Sequence, residues 1–167
     1  MTDQKPDSEA LETALRIDMY QQPGHLIRRA QQVHTQMWVS LVSSEVTSTQ
    51  FAVLSAVAEE PDTDQNSISR RVSLDTSTVA EVVNRLAARG YITRNKDTAD
   101  RRRNLLTLSP DGEQVFAEVS RAAAAMTDRM VEILPDADRK ELVRILQNLV
   151  ESGEAIRDST SPGGDRA

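Results

Sequence analysis

Cysteine is absent from the 167 residues. Without a thiol there is no disulfide framework, no thiolate metal site, no nucleophilic cysteine and no thiol-based redox sensor. Aromatic residues are scarce, at 3% against 38% apolar residues overall. That balance, with much Ala, Leu, Val, Arg and Glu, suits helices better than a sandwich or barrel. No apolar run approaches the about 18 residues that a membrane helix needs. The opening MTDQKPDSEALE is polar and acidic, unlike a secretory leader. A soluble, cytoplasmic protein with no membrane partner is the expectation.

Other chemistry is missing as well. No Gly-rich phosphate loop and no nucleophile elbow occur, and no acidic pair stands out from ordinary helix surface. No catalytic residue and no cofactor are therefore assigned, and an enzyme is not expected. His25 and His34, the two histidines, lie nine residues apart and do not share a helix face, so no metal site is assigned. Asp62-x-Asp64-x-Asn66 imitates the start of a calcium loop. The sixth position is Ser67 rather than Gly and the twelfth is Ser73 rather than Glu, so the pattern fails.

Acids outnumber bases, for a net charge of −6, but the distribution is uneven. Between Arg85 and Arg103 seven cations stand against two acids, Asp97 and Asp100. A basic stretch in an acidic chain is the footprint of a polyanionic partner. From Met19 to Ser44 there is no acid at all.

Apolar spacing and cap residues divide the chain. After Pro23-Gly24, Leu26, Ala30, Val33, Met37 and Leu41 form one helical stripe, with Ile27, His34 and Trp38 beside it. A second helix follows Thr47 and ends at Pro61. Asp64 caps a short third helix, Gln65 to Val72. Asp75 caps a fourth that runs to about Arg89 and stops at Gly90. Tyr91 to Arg94 and Asn104 to Leu108 read as strands of a hairpin. Ser109-Pro110 starts a helix to about Leu134, and Pro135-Asp136 starts the last. The third and fourth helices, joined by a tight turn, make a helix-turn-helix, and the hairpin makes it winged.

On the fourth helix, Val79, Val82, Val83 and Leu86 share the buried side. Ser77, Glu81, Asn84, Arg85 and Ala88 share the other, with Thr78 flanking. Small polar residues near a helix N-terminus suit entry into a major groove. The loop Asp100-Arg101-Arg102-Arg103 places long cations at a hairpin tip, within reach of phosphate or a minor groove; Asp100 is a candidate partner for Arg94 or Arg102. The competing reading is a solvated basic loop beside an amphipathic surface helix.

The run Thr47-x-x-Gln50-Phe51-x-x-Leu54, Leu74-Asp75-x-Ser77-Thr78-Val79, Asn84-Arg85-Leu86-x-x-Arg89-Gly90-Tyr91-Ile92-x-Arg94, Asp100-x-Arg102 and Leu106-Thr107-Leu108-Ser109-x-x-Gly112 resembles the MarR family over about residues 25–150. The resemblance implies a mainly α fold: a winged helix-turn-helix with a two-stranded β-hairpin wing, flanked by N- and C-terminal dimerisation helices. It also implies a homodimer, a palindromic double-stranded DNA operator and, as the family habit, a repressor answering to a small molecule. By position, Ser77 and Thr78 match the start of the DNA-reading helix, and Arg94 and Arg102 match wing arginines. Glu81 departs from the pattern, since many relatives carry a base there. It either accepts from a cytosine amine or pairs with Arg85 one turn on, the second being favoured.

The expected DNA-binding set is thus Ser77, Thr78, Glu81, Asn84, Arg85, Arg94, Arg101, Arg102 and Arg103. The acid-free first helix offers His25, Arg28, Arg29, His34 and Trp38 as an effector site for an aromatic carboxylate, an Arg gripping the acid and Trp38 lining the apolar part. The opening Pro-Gly-His-Leu-Ile-Arg-Arg-Ala is similar to a subgroup of the family associated with regulating aromatic-acid breakdown. The alternative is that Arg28 and Arg29 are solvated or paired and Trp38 is dimer core. The expected division is a disordered 1–8, a helical dimerisation region at 9–45 and 109–157, a winged helix-turn-helix at 46–108, and a disordered tail at 158–167. A winged-helix protein-interaction module without DNA binding is the alternative function.

Overall fold

A computed structural model describes residues 18–98 and 103–160. A 3-10 turn, Met19–Gln21, leads into α1 (Pro23–Leu41), α2 (Ser48–Glu59), α3 (Gln65–Arg71), α4 (Thr76–Ala88), β1 (Ile92–Lys96), β2 (Asn104–Leu108), α5 (Pro110–Met130) and α6 (Asp136–Thr160). This is the expected order, mainly helical with one antiparallel hairpin in which Ile92 faces Leu108 and Lys96 faces Asn104.

The helix starts follow the cap residues. Thr47 accepts from the Gln50 amide at 3.1 Å while the Gln50 side chain accepts from the Thr47 amide at 3.0 Å, a reciprocal capping box. Asp64 caps α3 through the Ser67 amide at 2.9 Å, and Asp75 caps α4 through the Thr78 amide at 2.9 Å. α4 ends in a Schellman motif, in which the Tyr91 N–H bonds Leu86 O and the Gly90 N–H bonds Ala87 O, both at 2.9 Å. Gly90 sits at φ 78°, where a Cβ is strained.

Three boundaries differ from expectation. β1 begins at Ile92 rather than Tyr91 and reaches Lys96, because the Tyr91 N–H is consumed in closing α4 and its carbonyl accepts from Ser109 at 3.1 Å. α5 ends at Met130 rather than near Leu134. The turn that follows is held by the Arg139 guanidinium, which donates to the Leu134 carbonyl at 2.9 Å and the Glu132 carbonyl at 3.2 Å. α6 continues to Thr160, so Asp158, Ser159 and Thr160 are helical where a tail had been expected. The expectations for 1–8, 9–17 and 161–167 lie outside the described residues.

The chain divides into a unit ending at Met126 and a second beginning at Thr127. The first has a continuous core. Val53, Leu54 and Val57 of α2, Ile68 of α3, Val79, Val83 and Leu86 of α4 and Leu106 of β2 are fully buried. Each such side chain contributes about 1.5–3 kcal/mol of transfer free energy. The apolar period of α4 thus fixes which side is left outside. The turn before α3 is stitched to the hairpin: Leu106 donates to the Thr63 carbonyl at 2.8 Å and Asp62 donates to the Leu106 carbonyl at 3.1 Å. Two sets of apolar residues remain exposed, Leu26, Val33 and Leu41 on α1 and Leu142, Ile145, Leu146 and Leu149 on α6. Among the described residues, no helix is long and apolar enough to cross a membrane.

Candidate nucleic-acid interface

The core of the first unit takes Val79, Val82, Val83 and Leu86, leaving Ser77, Glu81, Asn84, Arg85 and Ala88 exposed on α4. Thr78 is half-buried at the flank. The side chains on this face bond to one another. The Ser77 hydroxyl donates to Asp75 Oδ1, and the Thr78 hydroxyl donates to Asp75 Oδ2 at 2.5 Å. With the Thr78 amide added, these bonds hold the Asp75 carboxyl far below the usual carboxylate range, the Ser77 hydroxyl contributing most. One anionic cap therefore fixes two hydroxyls at the mouth of α4. One turn along, Arg85 Nη2 pairs with Glu81 Oε1, the i,i+4 pairing favoured from sequence. Arg94 on β1 donates to Asn84 Oδ1 at 2.5 Å, so strand and helix present one joined polar group.

Arg103 is engaged by carboxylates. It flanks the wing loop beside the Lys96–Asn104 end of the hairpin, and it is paired there: Nη2 meets Asp64 Oδ2 at 2.5 Å and Nη1 lies 3.7 Å from Asp97. Both carboxylates are largely shielded, one of them being the α3 cap, while Arg103 itself stays half exposed. The Ser67 amide first, and then the Arg103 guanidinium, hold Asp64 below its usual range against the opposing effect of its burial. Asp100, Arg101 and Arg102 lie outside the described residues.

Sequence reading missed a second clamp. Arg89, at the end of α4, donates to the Glu45 carbonyl at 2.7 Å, to its carboxylate at 2.8 Å and to the Tyr91 hydroxyl at 3.2 Å, with its guanidinium carbon 4.9 Å from the Tyr91 ring centre. Next to it, Trp38 Nε1 donates to the Val46 carbonyl at 2.7 Å. Consecutive carbonyls of one loop are thus held from the end of α4 on one side and by α1 on the other. The only advance signal was the Arg-Gly-Tyr sequence itself, because the partners lie 44 residues apart.

The five effector candidates do not converge on one pocket. Trp38 is 5% exposed and belongs to the core of its own unit, against Phe51 at 5.4 Å and His34 at 6.0 Å between ring centres. His25 stands edge-on to Tyr20 at 5.7 Å. Nine residues separate the two histidines along α1, about 13 Å at the helical rise. Among the described residues, His25 Nε2 and His34 Nδ1 are shielded and have no hydrogen-bond partner. Arg28 and Arg29 are exposed, with no acid on the same helix. Among the described residues, no group of three or more His, Asp or Glu could hold a metal.

Residues 46–103 match the MarR family. The transcriptional regulator PcaV of Streptomyces coelicolor, solved with its natural ligand, is 37% identical, covering 82% of this chain and 97% of its own, with a TM-score of 0.79. BpsR of Bordetella bronchiseptica, whose DNA binding is regulated by 6-hydroxynicotinic acid, is 33% identical over 78% of this chain and 94% of its own, with a TM-score of 0.75. The transcriptional repressor NicR of Pseudomonas putida is 26% identical over 138 residues, 82% of this chain and 87% of NicR.

Proposed function

The chain belongs to the MarR family of transcriptional regulators, and from that premise we propose that it is a homodimeric, sequence-specific repressor that leaves its operator when an aromatic carboxylate binds. The observation that carries the DNA-binding half is the α4 face: small hydroxyls fixed at its N-terminus by Asp75, then Asn84 and Arg85, with Arg94 joined from the wing. A helix so presented can enter a major groove while its amides and the wing cations, Arg101 and Arg102 included, meet phosphate. Arg103 is better suited to bracing the wing than to touching DNA, since two carboxylates hold it.

Exposed apolar residues on α1 and α6 support the dimer. Left in water they are an association liability, and an obligate two-fold interface is the usual way to cover such stripes. A two-fold pair of reading helices calls for a palindrome with half-sites about one turn, roughly 34–36 Å, apart.

The effector reading rests on α1. Arg28 and Arg29 are cations with no acid nearby in sequence, and a planar guanidinium suits a planar carboxylate. His25 and His34 each hold a shielded ring nitrogen with no partner among the described residues. Trp38 backs His34 at 6.0 Å between ring centres, with its own N–H committed to Val46. BpsR, regulated by 6-hydroxynicotinic acid, lends the class of effector, and PcaV, solved with its natural ligand, supports a response to a small molecule. The test is selection from a random duplex pool, followed by titration of the selected complex with benzoate- and cinnamate-like acids and their neutral amides. An inverted repeat released by an acid, and far less by its amide, is the expected outcome. Enrichment of no duplex removes the DNA reading, and equal action of acid and amide removes the arginine–carboxylate mechanism.

A further inference from the structure

Glu81 is a carboxylate in the middle of the face that would enter the groove. Its side chain is 64% exposed, so burial does not explain its presence, and the core residues of α4 are on the other side. It engages Arg85, the cation best placed on that face to seek phosphate. The other acceptors nearby are taken: Asp75 by Ser77 and Thr78, and Asn84 Oδ1 by Arg94. We propose that Glu81 is a specificity determinant that reads the exocyclic amine of a cytosine in each half-site and, off target, holds Arg85 away from the DNA backbone.

The argument is electrostatic and rests on the DNA-binding reading above. A carboxylate pushed into a groove lined by phosphates loses solvent and meets repulsion. That loss is offset only where a base edge offers a hydrogen-bond donor. In the major groove the donors are cytosine N4 and adenine N6, and adenine sets the N7 acceptor beside its amine. A carboxylate, which only accepts, is repelled by that N7, so cytosine fits better. On a cognate site the carboxylate engages the amine and Arg85 is released to the anionic duplex. On other sequences neither exchange is favourable, and the Glu81–Arg85 pair persists. Discrimination thus comes from an unfavourable term against the wrong duplex as much as from a contact with the right one.

The variants Glu81→Ala and Glu81→Gln are suited to the test because the site is exposed and both residues favour helix; matching urea midpoints check the fold. Base preference is measured by selection from randomised half-sites, and affinity for random duplex is measured across salt. Wild type is expected to select cytosine at one position per half-site. Glu81→Ala should lose that preference alone and bind random duplex roughly tenfold more tightly, with a log–log salt slope steeper by about 0.9 per subunit as Arg85 meets phosphate. Glu81→Gln should move the preference to adenine, to which an amide bonds through both N6 and N7. If Glu81→Ala keeps the cytosine preference, or binds random duplex no more tightly than wild type, the role of Glu81 is overturned while the DNA-binding reading stands. If wild type selects no duplex, that reading falls and the role of Glu81 with it.

Discussion

Replacing Gly112 by Ala should destabilise the protein although alanine favours helix. Gly112 is buried in the first turn of α5, where the Ser109 hydroxyl accepts from its amide at 3.0 Å. A Cβ there would lie 2.0 Å from the Tyr91 carbonyl oxygen, 2.9 Å from its carbon and 3.1 Å from Tyr91 Cα. The obstacle is backbone, and it cannot swing aside. The Tyr91 N–H closes α4 on Leu86, and its carbonyl accepts from Ser109. Either α5 lifts or the α4–β1 turn moves. Inserting a methyl group into a packed site costs about 1–3 kcal/mol, occasionally more, and a rigid neighbour puts this site toward the upper end. The helix preference of Ala over Gly returns about 1 kcal/mol. The net expectation is a loss of about 2 kcal/mol by these two magnitudes. Urea unfolding followed by circular dichroism at matched protein concentration measures it, since association would make the midpoint concentration-dependent. A variant as stable as wild type, or more stable, refutes the close approach of α5 to the α4–β1 turn.

Two further substitutions follow from the hydrogen bonds. Trp38→Phe keeps an aromatic ring but gives up part of the indole volume and leaves the Val46 carbonyl without its 2.7 Å donor, and the urea midpoint should fall by an amount equivalent to at least about 1–3 kcal/mol; no change would mean that neither the bond nor the volume matters there. Asp75→Ala removes the cap of α4 and the anchor of Ser77 and Thr78, lowering both stability and DNA affinity. Because the folded-state Asp75 carboxyl titrates below its ordinary value of 3.8, its contribution is complete above that value and is lost as pH falls below it. The thermal-melting difference between wild type and variant should therefore be level near neutrality and shrink below about pH 4. A difference that grows on acidification contradicts this.

Local signals carried most of the fold. As helix caps, Thr47, Asp64, Asp75, Gly90 and Ser109 each act through residues within five positions, so those roles can be read from neighbours alone, unlike the longer reach of Asp64 to Arg103 and of Ser109 to Tyr91. The buried side of α4 was legible because four apolar residues share one turn period. The interface charges were not equally legible. Arg85 found its partner one turn away, as a helix dictates. Arg103, Arg89 and Arg94 are held by residues 39, 44 and 10 positions distant, and only the tertiary fold brings these together. Counting cations along the chain therefore does not tell which of them have partners within the fold. The effector candidates share a helix, yet Trp38 turns inward to donate to Val46, and His25 and His34 stand about two and a half turns apart.

The most direct test of the central claim is a mobility-shift titration of the full chain on genomic fragments at low and at moderate salt. A specific regulator should hold a few fragments in a discrete complex at moderate salt while the rest are released, because phosphate contacts weaken with salt and base contacts persist. Uniform loss of every fragment as salt rises, or no shift at either salt, would contradict the account.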